Sequence, residues 1–149
     1  MSHPEALREF KEGLDLFHNN CPRQGLAHLK RAAELDMDNP FYLSYLGLAL
    51  ATVEGKTLEA EDLCYDAVRK QRTQAELYLN LAEVYRLAGK KEDAIETLTT
   101  GLKLTRHDAR LSEALEKLGR RRAPVLSFLD RKNFLNVQLG KLRYQVSSR

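Results

Sequence analysis

Four histidines, two cysteines and 21 acidic residues are the side chains of this 149-residue chain with the chemistry to hold a metal, activate a nucleophile or move a proton. Their spacing argues against all three. His3, His18, His28 and His107 are scattered, with no two at metal-ligand spacing and no cysteine pair beside them. Cys21 and Cys64 stand alone, and no phosphate-cradling glycine loop or G-x-S-x-G turn occurs. The carboxylates fall on the polar faces of helix-period segments, where solvation explains them. Cys64 falls among small residues and reads as a core filler rather than a nucleophile. No metal, no cofactor and no catalysis are expected, which leaves the surface as the place where function resides.

That surface must be carried by helices. Between Ala75 and Asp108 the chain reads AELYLNLAEVYRLAGKKEDAIETLTTGLKLTRHD, two short helices joined at Gly89. Tyr78, Leu81, Ala82 and Tyr85 share one face of the first, and Ala94, Leu98 and Gly101 share one face of the second. Large groups opposite small ones are what close antiparallel packing requires. Leu43-x2-Leu46-Gly47-x2-Leu50 followed by Ala60-x3-Cys64 and Ala67 repeats the pattern upstream, and Gly25, Leu29 and Ala32 repeat its second half once more. Two series of small residues set the register. Gly13, Gly47 and Ala82 are spaced by 34 and 35 residues, and Gly25, Ala60 and Ala94 by 35 and 34.

The pattern Tyr78-x2-Leu81-Ala82-x2-Tyr85 with Ala94-x3-Leu98 resembles the tetratricopeptide repeat (TPR) signature, whose period is 34 residues. Arg106 stands where the family has its proline. The resemblance implies an all-α, right-handed helical-hairpin solenoid of three repeats, at about 6–39, 40–74 and 75–108. A capping helix to residue 119 would follow, bearing Leu111, Leu115 and Leu118, and then a basic helical extension over 120–149. The first repeat is the least regular, because Glu9 and Glu12 occupy places that are large and apolar elsewhere; a one-residue slip making Phe10 and Phe17 the core pair is an alternative. Helix starts are expected at Ser2 (N-cap, with Pro4 and Glu5), at Thr57, at a Thr73–Glu76 capping box and at Asp108.

Composition agrees with a globular chain: 43% hydrophobic and 30% charged residues. No apolar run approaches the roughly 18 residues of a membrane span. The opening MSHPEALREF lacks the basic and apolar regions of a secretory signal, and the isolated cysteines suit a reducing compartment, so a cytoplasmic location is expected. Charge is uneven: residues 1–116 sum to −5 and residues 117–149 to +8. Arg120, Arg121, Arg122, Arg131, Lys132, Lys141 and Arg143 supply most of that excess. They suit a fold-back cap with exposed cations, or an adapter for an acidic protein or anionic membrane. Nucleic acid is disfavoured, since aromatics are sparse among the cations and no recognition motif occurs.

The resemblance also implies where a partner would bind. In TPR proteins the first helices line a concave groove that takes extended or helical peptides. The corresponding inward positions here are Phe10, Leu14 and Phe17, then Phe41, Ser44, Tyr45, Leu48 and Thr52, then Leu79, Asn80, Glu83 and Arg86. Phe41 and Tyr45 are the expected exposed anchors, because Leu43, Leu46 and Leu50 already occupy the core-facing positions. The clamp with which co-chaperones of this family grip an acidic C-terminus is not matched. Phe10, Leu14, Tyr45, Glu76 and Asn80 stand at its positions, and only Asn80 is a suitable donor. The expected function is therefore a non-enzymatic interaction module or scaffold for a peptide or amphipathic helix of another protein, with self-association open. The alternatives are a small dedicated chaperone for a secretion or assembly partner, or a peripheral membrane or acidic-surface adapter acting through the basic C-terminal segment.

Overall fold

Residues 3–119 are described by a computed structural model of the chain, and form seven α-helices without a strand among them. These are α1 (Pro4–His18), α2 (Pro22–Leu35), α3 (Pro40–Glu54), α4 (Thr57–Lys70), α5 (Ala75–Leu87), α6 (Lys91–Leu104) and α7 (Ala109–Gly119). The expected helical extension lies outside the described residues. Helices pair as hairpins, α1 with α2, α3 with α4 and α5 with α6. Neighbouring hairpins meet through α2 with α3, α3 with α5 and α4 with α5. The fold is an all-α solenoid of helical hairpins.

Local chemistry starts and stops the helices. Pro4, Pro22 and Pro40 each open a helix, where the missing N–H costs nothing. The Asn39 side chain accepts from the amides of Phe41 and Tyr42, and Asp108 accepts from the amide of Arg110 at 2.9 Å, capping α7. Every hairpin turn contains one residue in the left-handed region: Asn20 (φ 66°), Gly55 (φ 66°) and Gly89 (φ 75°). Asn20 fills this place in the first repeat because its short polar side chain tolerates that region better than others do.

Three expected caps are replaced. His3, not Ser2, precedes α1, and Ser2 lies outside the described residues. Lys56 precedes α4, because the left-handed Gly55 turns the chain two residues before Thr57, which is already helical. The Thr73–Glu76 box does not form: Gln74 is extended (φ −99°, ψ 112°) and α5 begins one residue too late, while Glu76 turns instead toward Tyr45. At Arg106, where the family has proline, φ is +56°, and His107 follows at +59°. Proline is locked near −65°, so this turn excludes it.

Within each hairpin the helices meet at small residues. A Cβ on Gly25 would lie 2.7 Å from both the carbonyl oxygen of Gly13 and the amide nitrogen of Phe17. One on Gly47 would lie 2.7 Å from Cys64 Sγ and 2.9 Å from the Ala60 carbonyl. Ala60, Ala94, Leu29, Cys64 and Leu98 are wholly buried. The Gly13 register thus holds in the first repeat, and the slip to a Phe10–Phe17 core is excluded. Glu9 is accommodated there by a 2.7 Å contact with His28 Nδ1, a polar pair where the other hairpins place Leu43 or Tyr78. Leu111 of α7 is also fully buried, and its methyl would lie 3.1 Å from a Cβ on Gly101.

Two glycine substitutions separate packing from backbone effects. Gly25→Ala places a methyl against backbone that has no room to yield, and should cost about 1–3 kcal/mol in urea-denaturation stability. A Cβ on Gly89 meets nothing within 4 Å, so Gly89→Ala should cost only the left-handed backbone penalty, roughly 1–2 kcal/mol. A neutral Gly25→Ala would mean the helices of the first hairpin are not in close contact.

Candidate partner-binding surface

The first helices of the three hairpins share one side, and six side chains tie them together. Phe10 of α1 packs its ring on Tyr42 (centroids 4.7 Å) and edge-on against Tyr45 (5.5 Å), both on α3. The Tyr45 hydroxyl donates to Glu76 of α5. One turn on, Asn80 Nδ2 donates to Ser44 Oγ at 3.0 Å, while the Ser44 carbonyl accepts from Cys64 Sγ at 3.3 Å. Arg110 of α7 completes the line, held by Asp108 (3.1 Å) and acting electrostatically on both Tyr45 and Glu76.

This geometry revises part of the expected groove. Tyr45 is 8% exposed, Ser44 0% and Asn80 7%, so they cannot be open contact points in this conformation. Phe41 is half-buried between the Ala32–Tyr42 cluster and the Leu43–Leu77 cluster, a packing group rather than a free anchor. The physical reason is that α3 touches α2, α4 and α5 while Phe10 covers it from α1, so almost its whole circumference is enclosed. Leu43, Leu46 and Leu50 fill only one part of that enclosure. Phe10, Leu14 and Phe17 are half-buried against the Leu26–Leu29–Tyr45–Leu50 core, and Leu48 bridges two core clusters.

The accessible remainder is a band of Leu48, exposed Thr52, half-buried Leu79, and the forked pair in which Arg86 donates to Glu83 at 2.7 and 2.8 Å. Arg110 was not among the expected site residues; its signal was the Asp108 cap, which fixes an arginine two residues on. Arg120, Arg121, Arg122, Arg131, Lys132, Lys141 and Arg143, the expected basic surface, lie outside the described residues.

Burial sets the electrostatics. It pushes the Cys64 thiol up to about 12, keeping it protonated and unreactive. It also raises the Tyr45 phenol well above its usual value, and the bond to the Glu76 carboxylate raises it further. Among the described residues no cluster of His, Cys, Asp or Glu suits a metal, and no helix is long and apolar enough to cross a membrane.

Residues 52–118 match a family model for the tetratricopeptide repeat. That stretch is tetratricopeptide-repeat sequence. Solved TPR domains share the architecture. The Sgt2 TPR domain from Aspergillus fumigatus is similar over 89% of this chain and 93% of its own, with a TM-score of 0.69 at 16% identity. The second TPR domain of human RPAP3, in complex with the HSP70 peptide SGPTIEEVD, is similar over 79% of this chain and 98% of its own (TM-score 0.65, 19% identity). The TPR2B domain of yeast Sti1, in a pHsp70 complex, covers 80% and is itself covered fully (TM-score 0.66, 17% identity). At these identities the likeness is one of fold. No curated protein sequence matches the chain. Glu76 and Tyr45, two of the positions compared above with the family's clamp, satisfy each other here.

Tyr45→Phe tests that pair. The variant should lose about 1.5–3 kcal/mol at neutral pH, the usual worth of a hydrogen bond to a charged group. The folded-state pKa is raised, so the contribution is complete below the unfolded tyrosine's pKa and declines as pH rises past about 10. Denaturation at several pH values should show the gap between wild type and variant narrowing above that point. A gap independent of pH would show that Tyr45 is not held neutral.

Proposed function

We propose that the chain is a non-enzymatic interaction module that takes an extended or helical segment of another protein along the side shared by α1, α3 and α5. One observation carries this reading: the contacts from Phe10 through Tyr45 to Glu76, and from Ser44 to Asn80, fix the first helices of successive hairpins side by side. The resulting surface is pre-formed, which lowers the ordering cost of binding. Leu48 and Leu79 give it apolar contact points, and Thr52, Glu83 and Arg86 give it polar ones. That RPAP3 and Sti1 TPR domains are solved with chaperone peptides or complexes supports a peptide-binding role.

The ligand should differ from theirs in charge. SGPTIEEVD ends in acidic residues. Here Glu76 lies on the binding side and Asn80 is turned inward to Ser44, so an acidic C-terminus meets repulsion at the one and finds no free donor at the other. Apolar or basic anchors fit better. Both cysteines are free thiols, in keeping with a reducing cytoplasm, where we place the protein.

Affinity capture from the source cell with full-length chain, read by mass spectrometry, tests the surface when run beside Leu79→Asp. Leu79 is only half-buried, so the variant should keep its melting temperature while recovery of the partner falls roughly tenfold or more, as for an interface anchor. Equal recovery would move the binding site elsewhere. Labelled SGPTIEEVD should not bind the wild type, and Glu76→Lys should improve its binding.

A further inference from the structure

A second concavity lies on another face of α5. Tyr78, Leu81 and Tyr85 form its floor, Tyr65 and Val68 of α4 one wall, and Asp93 and Glu96 of α6 the other rim. It measures about 250 Å³, below the ~300–1,000 Å³ usual for a whole small-molecule ligand and suited to a single long side chain. Its chemistry is one-sided. Three tyrosine rings and two carboxylates face the space, and no lysine, arginine or histidine lines it. Asp93 and Glu96 are exposed and enter no ion pair within 4 Å among the described residues, although Asp93 feels the field of Lys90; nearby Glu61 is already paired with Lys90 at 2.7 Å and Asp66 with Arg69. Tyr65 stays 54% exposed although its neighbours on that helix face include packing residues.

Charge complementarity names the occupant. Ring faces attract cations, the more so when the cation is partly desolvated, and carboxylates at the rim add direct pairing. A guanidinium combines planarity for stacking on tyrosine with a donor fork for carboxylates; an ammonium has only the point charge. At Tyr85, burial and the fields of Glu61 and Asp93 raise the hydroxyl above the ordinary tyrosine value, and outweigh the opposing field of Lys90.

We propose that this cleft is a binding site for an arginine side chain presented by a partner protein, its guanidinium against the rings of Tyr65 and Tyr85 and its donors on Asp93 and Glu96. The site is separate from the band of Leu48, Leu79 and Arg86 and stands whether or not that band binds a peptide.

Amide chemical-shift titration of the labelled full-length chain with N-acetyl-arginine amide provides the test. Saturable shifts should centre on Tyr65, Tyr85, Asp93, Glu96 and Thr97. The citrulline analogue, neutral and nearly isosteric, should bind at least about tenfold more weakly. Tyr65→Ala and Glu96→Gln, both at exposed positions, should each weaken binding roughly threefold to tenfold, the size of one half-exposed cation–π or ion-pair contact, with other resonances unmoved. Several outcomes would overturn the proposal: equal binding of citrulline, equal binding of N-acetyl-lysine amide, tighter binding of free arginine than of the blocked form, or shifts spread evenly over the acidic surface. Concentration-dependent shifts of the same residues without probe would also overturn it, by making a second copy of the chain the occupant.

Discussion

Everything in this array depends on how closely its paired helices approach. Where Gly25 lies against Gly13, and Gly47 against Ala60 and Cys64, backbone meets backbone with no space for a methyl group. That contact fixes the separation of each hairpin, and with it the offset at which the next hairpin stacks. Leu29, Cys64 and Leu98 then fill equivalent buried places one turn along. In a stack that touches only nearest neighbours, such a repeated spacing is what turns three local structures into one continuous core.

The same spacing divides α5 into distinct working faces. One face carries Asn80 inward to Ser44 and presents Leu79, Glu83 and Arg86 beside it. Another carries Tyr78 and Tyr85 toward α6, under Asp93 and Glu96. Neither face could change much without disturbing the other, since Leu77, Val84 and Leu81 between them are all but fully buried. Helix α3 has no such freedom. Enclosed on nearly every side, it serves as the pillar against which both neighbouring hairpins pack, and its tyrosines are spent on cohesion.

The hairpins were legible in the sequence because their period rests on small residues at fixed spacing, and nothing but close contact explains glycine or alanine there. The turns at Gly55 and Gly89 were legible for the same reason. Caps were less so: Thr57 and Thr73 have the right side chains, but the path of the preceding turn decides which residue ends up at the helix start. Burial of Tyr45 and Ser44 was hidden because a helical wheel counts one partner helix, and α3 has more than one. Glu9 is a sharper case. An acidic residue at an apolar position reads as an irregularity until His28, 19 residues away, is seen to meet it.

The turn between α6 and α7 sets how firmly the array is closed. Arg106 and His107 both hold left-handed backbone, at a cost of roughly 1–2 kcal/mol each. Against that stands chiefly the burial of Leu111, worth about 1.5–3 kcal/mol, with half-buried Leu115 adding a smaller amount. The two sides nearly balance. Helix α7 is thus seated on the array chiefly by one fully buried leucine, at the far side of a turn whose backbone is itself costly. The face it covers is the one where Gly101 leaves room for both Tyr78 and Leu111, the same small-residue device that spaces the hairpins.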